Sequence, residues 1–185
     1  MEVSKDPLST ILDVNDLEDD IQHVNNPIVG LEPIVKKYLA AVKEYRQEGN
    51  SFFFSDGSAQ VEVRVVSDEI IRVRLAPQGV FLEEFSYALS HTEQKVTVFS
   101  CIEDEHTYSV QTNTVACKIN KSDFFISFED IHGHLINQDL NAMHWEENVD
   151  FGGYYVYATK KCNEEESFFG LGDKSSDFNL RGNRY

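Results

Sequence analysis

The residues with chemical potential fall in three short stretches. The densest is Phe168-Phe169-Gly170-Leu171-Gly172-Asp173-Lys174-Ser175-Ser176. A dinucleotide fingerprint would need a third glycine-like residue where Ser175 stands, and a strand leading into a helix; nothing downstream has helical periodicity. A phosphate loop would need glycine immediately before Lys174. Asp173 occupies that place, and its charge repels phosphate. His132 and His134 flank Gly133 and offer two imidazoles to a metal, but no Cys, Asp or His completes a set at ligand spacing, so no metal site is expected. His144-Trp145-Glu146-Glu147 places an imidazole, an indole and two carboxylates side by side, which would suit a sugar platform with an acid/base pair. The competing reading is a loop with one buried Trp, and it is favoured. No Ser or Cys has a base at interpretable spacing. No catalytic residue is assigned, and no cofactor is implied.

Charge narrows the partners. Sixteen Lys and Arg stand against 32 Asp and Glu, a formal net charge of −16. That field repels nucleic-acid backbones and anionic lipid, so neither nucleic acid nor a membrane is expected as a partner. No apolar run approaches the ~18 residues of a membrane-spanning helix. The start, Met1-Glu2-Val3-Ser4-Lys5-Asp6, lacks the basic and apolar regions of a signal peptide. Cys101, Cys117 and Cys162 are too few and too widely spaced for a disulfide framework. Together these predict a cytoplasmic protein with reduced thiols.

Periodicity indicates the scaffold around these stretches. Residues 1–30 hold seven acids (Glu2, Asp6, Asp13, Asp16, Glu18, Asp19, Asp20) and one base, Lys5; they read as a partly ordered acidic leader. Over 31–49, Ile34, Val35, Tyr38, Leu39, Val42 and Tyr45 recur at helical spacing, with Pro33 at the entry and Gly49 at the exit. This predicts an amphipathic helix docked on the domain downstream of it. From Ser51 the period becomes two: Val61, Val63 and Val65 alternate with Glu62 and Arg64, and Ile71, Val73 and Leu75 with Arg72 and Arg74. The pattern returns in Val96 and Val98, in Val115, Cys117 and Ile119, in Phe124, Ile126 and Phe128, and in Tyr154, Val156 and Ala158. Turn signals separate the segments, as at Ser55-Asp56-Gly57-Ser58. An all-β, antiparallel sandwich over 50–170 is predicted, with 171–185 as a trailing loop.

Phe169-Gly170-Leu171-Gly172-Asp173-Lys174, followed by Asn179-Leu180-Arg181-Gly182-Asn183-Arg184-Tyr185, resembles the family-31 glycoside hydrolases, α-glucosidase type. In that family Gly-Leu-Gly-Glu-Lys precedes an Arg-Gly-x-Arg-Tyr type run. The segments from Ser67 to Pro77 and from Phe85 to Leu89 resemble the same family's N-terminal domain, and the likeness spans about 50–185. The resemblance implies a galactose-mutarotase-like sandwich packed on a catalytic (β/α)₈ barrel of the same chain. The barrel would supply two aspartates beyond Tyr185, about 5 to 5.5 Å apart in a retaining mechanism. It also implies a non-catalytic role for this chain. A loop after the Gly-Leu-Gly motif would lean over the sugar pocket and place Asn179 and Arg181 as substrate-binding residues, Asn179 through an amide able to donate or accept. The substrate would be an α-linked oligosaccharide or α-glucoside. Asp173 stands where the family commonly has Glu, which shortens the reach of that carboxylate. Two alternatives remain open: a freestanding carbohydrate-binding sandwich using Trp145, Tyr154, Tyr155 and Tyr157, and an aldose-epimerase-like enzyme needing a His and a Glu in one cleft.

Overall fold

The computed structural model describes residues 35–83, 98–170, 172 and 178–182. The acidic leader, Ile34, Val96, the Phe85–Leu89 segment, Asp173, Asn183, Arg184 and Tyr185 lie outside the described residues. Every regular element described is a strand, and all the pairings are antiparallel.

One sheet of four strands runs in the order β2 (Glu44–Glu48), β3 (Ser51–Ser55), β4 (Gln60–Ser67), β5 (Ile70–Ala76). Alternation decides its inner face. Phe52 sits opposite Val63 and Phe54 opposite Val61, while Val63 and Val61 face Val73 and Leu75 on the next strand. Phe52, Phe54, Val61, Val63 and Val65 are fully buried; each such side chain contributes roughly 1.5–3 kcal/mol relative to exposure. The outer face carries Arg46, Phe53, Glu62, Arg72 and Arg74. Glu62 is only 4% exposed there. It is held by Arg74 at 2.8 Å, Arg72 at 3.1 Å and the Ser51 hydroxyl at 2.9 Å.

A second sheet has the order β10 (Leu135–Gln138), β9 (Ile126–Asp130), β8 (Val115–Asn120), β7 (Thr107–Gln111), β6 (Ser100–Glu103). Val110, Cys117, Ile119 and Ile126 join the core of the first sheet. Tyr108 bridges the two, with its ring 5.2 Å from Phe54 and 5.1 Å from Tyr45. The sandwich is closed by a smaller sheet, β1 (Lys37–Tyr38), β11 (His144–Glu147) and β12 (Tyr154–Tyr157), in the order β1-β11-β12. Trp145 carries this sheet into the same core. The all-β sandwich expected from the two-residue period is what the chain forms.

The amphipathic helix expected over 31–49 is corrected. Residues 35–49 contain β1, an irregular crossing and β2 instead. The apolar residues that suggested one helical face go to different places. Tyr38 lies in the small sheet, Leu39 is buried in the core, Val42 packs on the core's edge and Tyr45 stacks on Tyr108. Backbone bonds hold the crossing: Leu39 N–H donates to Met143 O, Val42 N–H to Lys121 O and Lys43 N–H to Ser55 O. Gly49 (φ 57°) and Asn50 form a two-residue hairpin loop between β2 and β3, with glycine at the first central position as a type II′ turn requires. Gly49 therefore reverses a strand and does not end a helix.

Candidate functional site

The chain after β12 returns along the five-stranded sheet before reaching the Gly-Leu-Gly motif. Leu140 N–H donates to Thr159 O, and Lys161 N–H donates to Gln138 O. Asn163 and Glu166 then close a turn, with Asn163 N–H donating to the Glu166 carboxylate at 3.1 Å. This anchors the start of the loop that contains the motif.

Asn179 and Arg181, the two expected substrate-binding residues, meet at the base of that loop. Asn179 Oδ1 accepts from Phe168 N–H at 3.0 Å and from Arg181 N–H at 3.1 Å, and its Nδ2 donates to Ser167 Oγ at 3.0 Å. Three of the four hydrogen-bonding positions of the amide are thereby used among the described residues. Arg181 Nη1 donates to the carbonyls of Asn163 and Glu166, both at 2.6 Å. Leu180 N–H donates to Phe168 O at 2.8 Å, and Leu180 is only 8% exposed. The two ends of the loop are thus clasped side by side, and Asn179 acts on backbone from both. Gly170 (φ 106°) turns the chain in a region closed to other residues. Beyond the clasp, Phe169 and Phe178 pair at 4.9 Å between ring centroids while remaining largely exposed. That exposed aromatic pair was not singled out in the sequence; its two members are nine residues apart and meet only because the clasp folds the loop.

The His144–Glu147 stretch is strand β11. Adjacent positions face opposite sides of a sheet, so Glu146 and Glu147 diverge and cannot act as a pair. Trp145 is buried at 4% exposure. His144 lies between Tyr38 and Tyr157, with ring centroids 4.7 and 4.8 Å away, so both faces of its ring are covered. The Tyr157 hydroxyl donates to Glu146, which raises the phenol's pKa. Tyr155 and Tyr157 share this face, while Tyr154 is on the other and hydrogen-bonds Gln78. His132 and His134 lie at the β9–β10 turn, both tied to Asp130. Its carboxylate accepts their backbone N–H groups and contacts His134 Nδ1 at 2.9 Å. The backbone bond from His134 is the main reason that the Asp130 carboxyl sits below its usual pKa. No group of three or more His, Cys, Asp or Glu fit to hold a metal occurs among the described residues.

A family model described as the glycosyl hydrolase 31 N-terminal galactose mutarotase-like domain matches residues 60–185. The chain belongs to this family. Solved structures share the fold of the family 31 domain. A GH31 dextranase from Flavobacterium johnsoniae, complexed with glucose, is 22% identical with a TM-score of 0.66; the match covers 79% of this chain and 18% of that one. A cycloalternan-forming enzyme from Listeria monocytogenes is 16% identical with a TM-score of 0.64, over 80% and 14% of the respective chains. A GH31 α-xylosidase from Xanthomonas citri is 24% identical with a TM-score of 0.62, over 70% and 15%. The family 31 domain therefore spans less than a fifth of each of these proteins.

Proposed function

We propose that this family 31 domain is a non-catalytic part of a retaining α-glycosidase, packing on the catalytic barrel and presenting the Phe169–Phe178 loop at the sugar pocket. The clasp at Asn179 and Arg181 carries the reading. It fixes both ends of the loop and leaves the phenyl rings of Phe169 and Phe178, next to the clasp, exposed, which is the construction expected of a scaffold that presents a binding loop. Among the described residues Asn179 uses one of its two amide hydrogens, and the Arg181 guanidinium, set on two carbonyls through Nη1 and beside the Cys162 thiol, carries further N–H groups. A sugar hydroxyl can accept from either. Their main contribution is to position the loop, with a direct contact to substrate as a secondary one.

An α-linked glucose oligosaccharide is the substrate we favour. The family match supports a glycoside, and glucose is the sugar bound to the Flavobacterium dextranase. The freestanding binding module is less well supported, because its aromatic residues are not gathered on one open face: Trp145 is buried, Tyr154 lies on the opposite side of the sheet from Tyr155 and Tyr157, and His144 covers one face of Tyr157. The test is kinetic, in the full-length enzyme that carries this sequence. Asn179→Ala should lower kcat/KM on isomaltotriose about tenfold or more, since the loop loses its brace as well as one possible contact. An unchanged kcat/KM would remove the loop from the sugar pocket.

A further inference from the structure

The outer face of the five-stranded sheet differs from the rest of this highly charged chain. Register places Thr107, Ser109 and Gln111 on β7 beside Asn120, Lys118 and Ala116 on β8, with Ser127 next to Lys118 and Gln138 next to Ser127. Most of these side chains are uncharged and hydrogen-bonding. At one end of the face lies an open cleft of about 240 Å³, lined among others by Asn120, Asp123, Phe125, Ser127, Gln138 and Asp139. We propose that this cleft binds a neutral saccharide, at a site separate from the Asn179 loop.

The groups on offer fit a polyol. Asn120 Oδ1 accepts both the N–H and the hydroxyl of Ser122 at 2.9 Å, which fixes the amide and keeps Nδ2 as a donor. Gln138 Oε1 is held by Lys161 at 3.5 Å, which leaves Nε2 as a second donor. Asp123 uses Oδ1 on Phe125 N–H and keeps Oδ2 as an acceptor. The Ser127 hydroxyl can do either. None of these four remaining groups has a hydrogen-bond partner among the described residues. Two donors, one acceptor and one amphoteric hydroxyl match neighbouring sugar hydroxyls, each of which both gives and takes a hydrogen bond. Phe125 supplies an apolar wall for the C–H face of a sugar ring.

Charge argues for a neutral ligand. Lys118 is paired with Glu129 at 2.6 Å, and the buried Asp139 carboxylate with Lys160 at 2.5 Å. Asp139 also accepts Ile126 N–H at 2.8 Å, so it forms a neutralised floor. Asp123 and Lys161, whose ammonium reaches Gln138, then offset one another, so the cleft carries no net charge with which to attract a phosphate or a carboxylate. Its volume lies below the ~300–1,000 Å³ of sites for drug-sized ligands, so it suits one sugar ring.

The loop that builds the cleft is also strained. Phe124, fully buried, has φ 59°, a left-handed conformation unusual for a bulky residue. That conformation sets Asn120, Asp123 and Phe125 around one turn, with Phe124 N–H bonded to Asn120 O and Asn120 N–H to Phe125 O. Strain of this kind tends to be kept where geometry serves a ligand.

The cleft's own chemistry carries the assignment; only the choice of α-linked probes leans on the family 31 reading. The test follows amide and side-chain NH₂ signals by NMR while maltotriose or isomaltotriose is added to the 185-residue chain. Saturable shifts should cluster at Asn120, Ser127 and Gln138, with a Kd on the order of 1 mM for so open a site. Asn120→Asp and Gln138→Glu keep the shape and the Oδ1 or Oε1 contact but remove one donor, and each should weaken binding about 2–10-fold. Shifts that do not saturate, shifts confined to Phe169 and Phe178, or variants that bind as the parent does would each overturn the proposal. Because binding and not turnover is read, failure here leaves the glycosidase reading standing.

Discussion

Replacing Asn179 by alanine removes three hydrogen bonds from the loop clasp: those to Phe168 N–H, Arg181 N–H and Ser167 Oγ. The site is accessible to water, so each bond counts near the low end of the net range, about 0.5 kcal/mol, and the three sum to about 1.5 kcal/mol. That energy is local, because the clasp joins only the two ends of one loop. Opening of the loop should therefore become about tenfold more frequent while the sandwich core keeps its stability. Leu180 reports it directly, since its N–H bonds Phe168 O and its side chain is buried. Amide hydrogen exchange at Leu180 should accelerate about tenfold in Asn179→Ala, and about threefold or less in Asn179→Asp, which keeps both acceptor bonds. Amides of Val63 and Ile119, in the core strands, should exchange as before. Unchanged exchange at Leu180 would refute the clasp. Equal acceleration at Val63 and Ile119 would show that the loop is part of the global fold.

The sandwich itself offers further tests. Glu62→Ala should cost about 2 kcal/mol in denaturant melts, less than for a fully buried pair because Arg72 and Arg74 are each 28% exposed. Burial pushes the Asp56 carboxyl up in pKa, but backbone N–H groups of Ala59, Ser58 and Ala40 outweigh it and hold the group below its usual range. Asp56 therefore stabilises the fold above the usual Asp pKa of about 3.9, and that contribution is lost as pH falls through the lower folded value. Asp56→Asn should flatten the acid limb of a stability–pH profile, and an identical limb would contradict this. Cys117 is fully buried with its thiol pKa pushed up, whereas Cys162 is exposed. Iodoacetamide should label Cys162 in the folded protein and reach Cys117 only on unfolding; equal labelling rates would be inconsistent with the core described.

The strands were legible because their inner and outer faces alternate strictly, as in Val61-Glu62-Val63-Arg64-Val65. The segment before them was not. Tyr38, Leu39, Val42 and Tyr45 fall at helical spacing, yet they are apolar for four separate reasons as the chain crosses from the small sheet to the large one. The Gly49-Asn50 pair between Tyr45 and Phe52 was a hairpin signal that the helical rhythm overrode. At the candidate site, the motif pointed to Asn179 and Arg181, and the structure brings them together. Their bonds to Phe168, Asn163 and Glu166 were not legible, because backbone partners 11 to 18 residues away leave no mark in side-chain pattern. The Tyr38–His144–Tyr157 stack was hidden for a similar reason. It depends on the register of three strands that are far apart in sequence.

A domain that supports glycoside hydrolysis without performing it should be inert when separated from the rest of its enzyme. The direct measurement compares the purified 185-residue chain with the full-length protein carrying it, on 4-nitrophenyl α-glucoside and isomaltotriose. Turnover is expected from the full-length protein and none from the chain alone. Turnover by the chain alone, or a full-length protein inert on every α-glycoside offered, would contradict the proposed role.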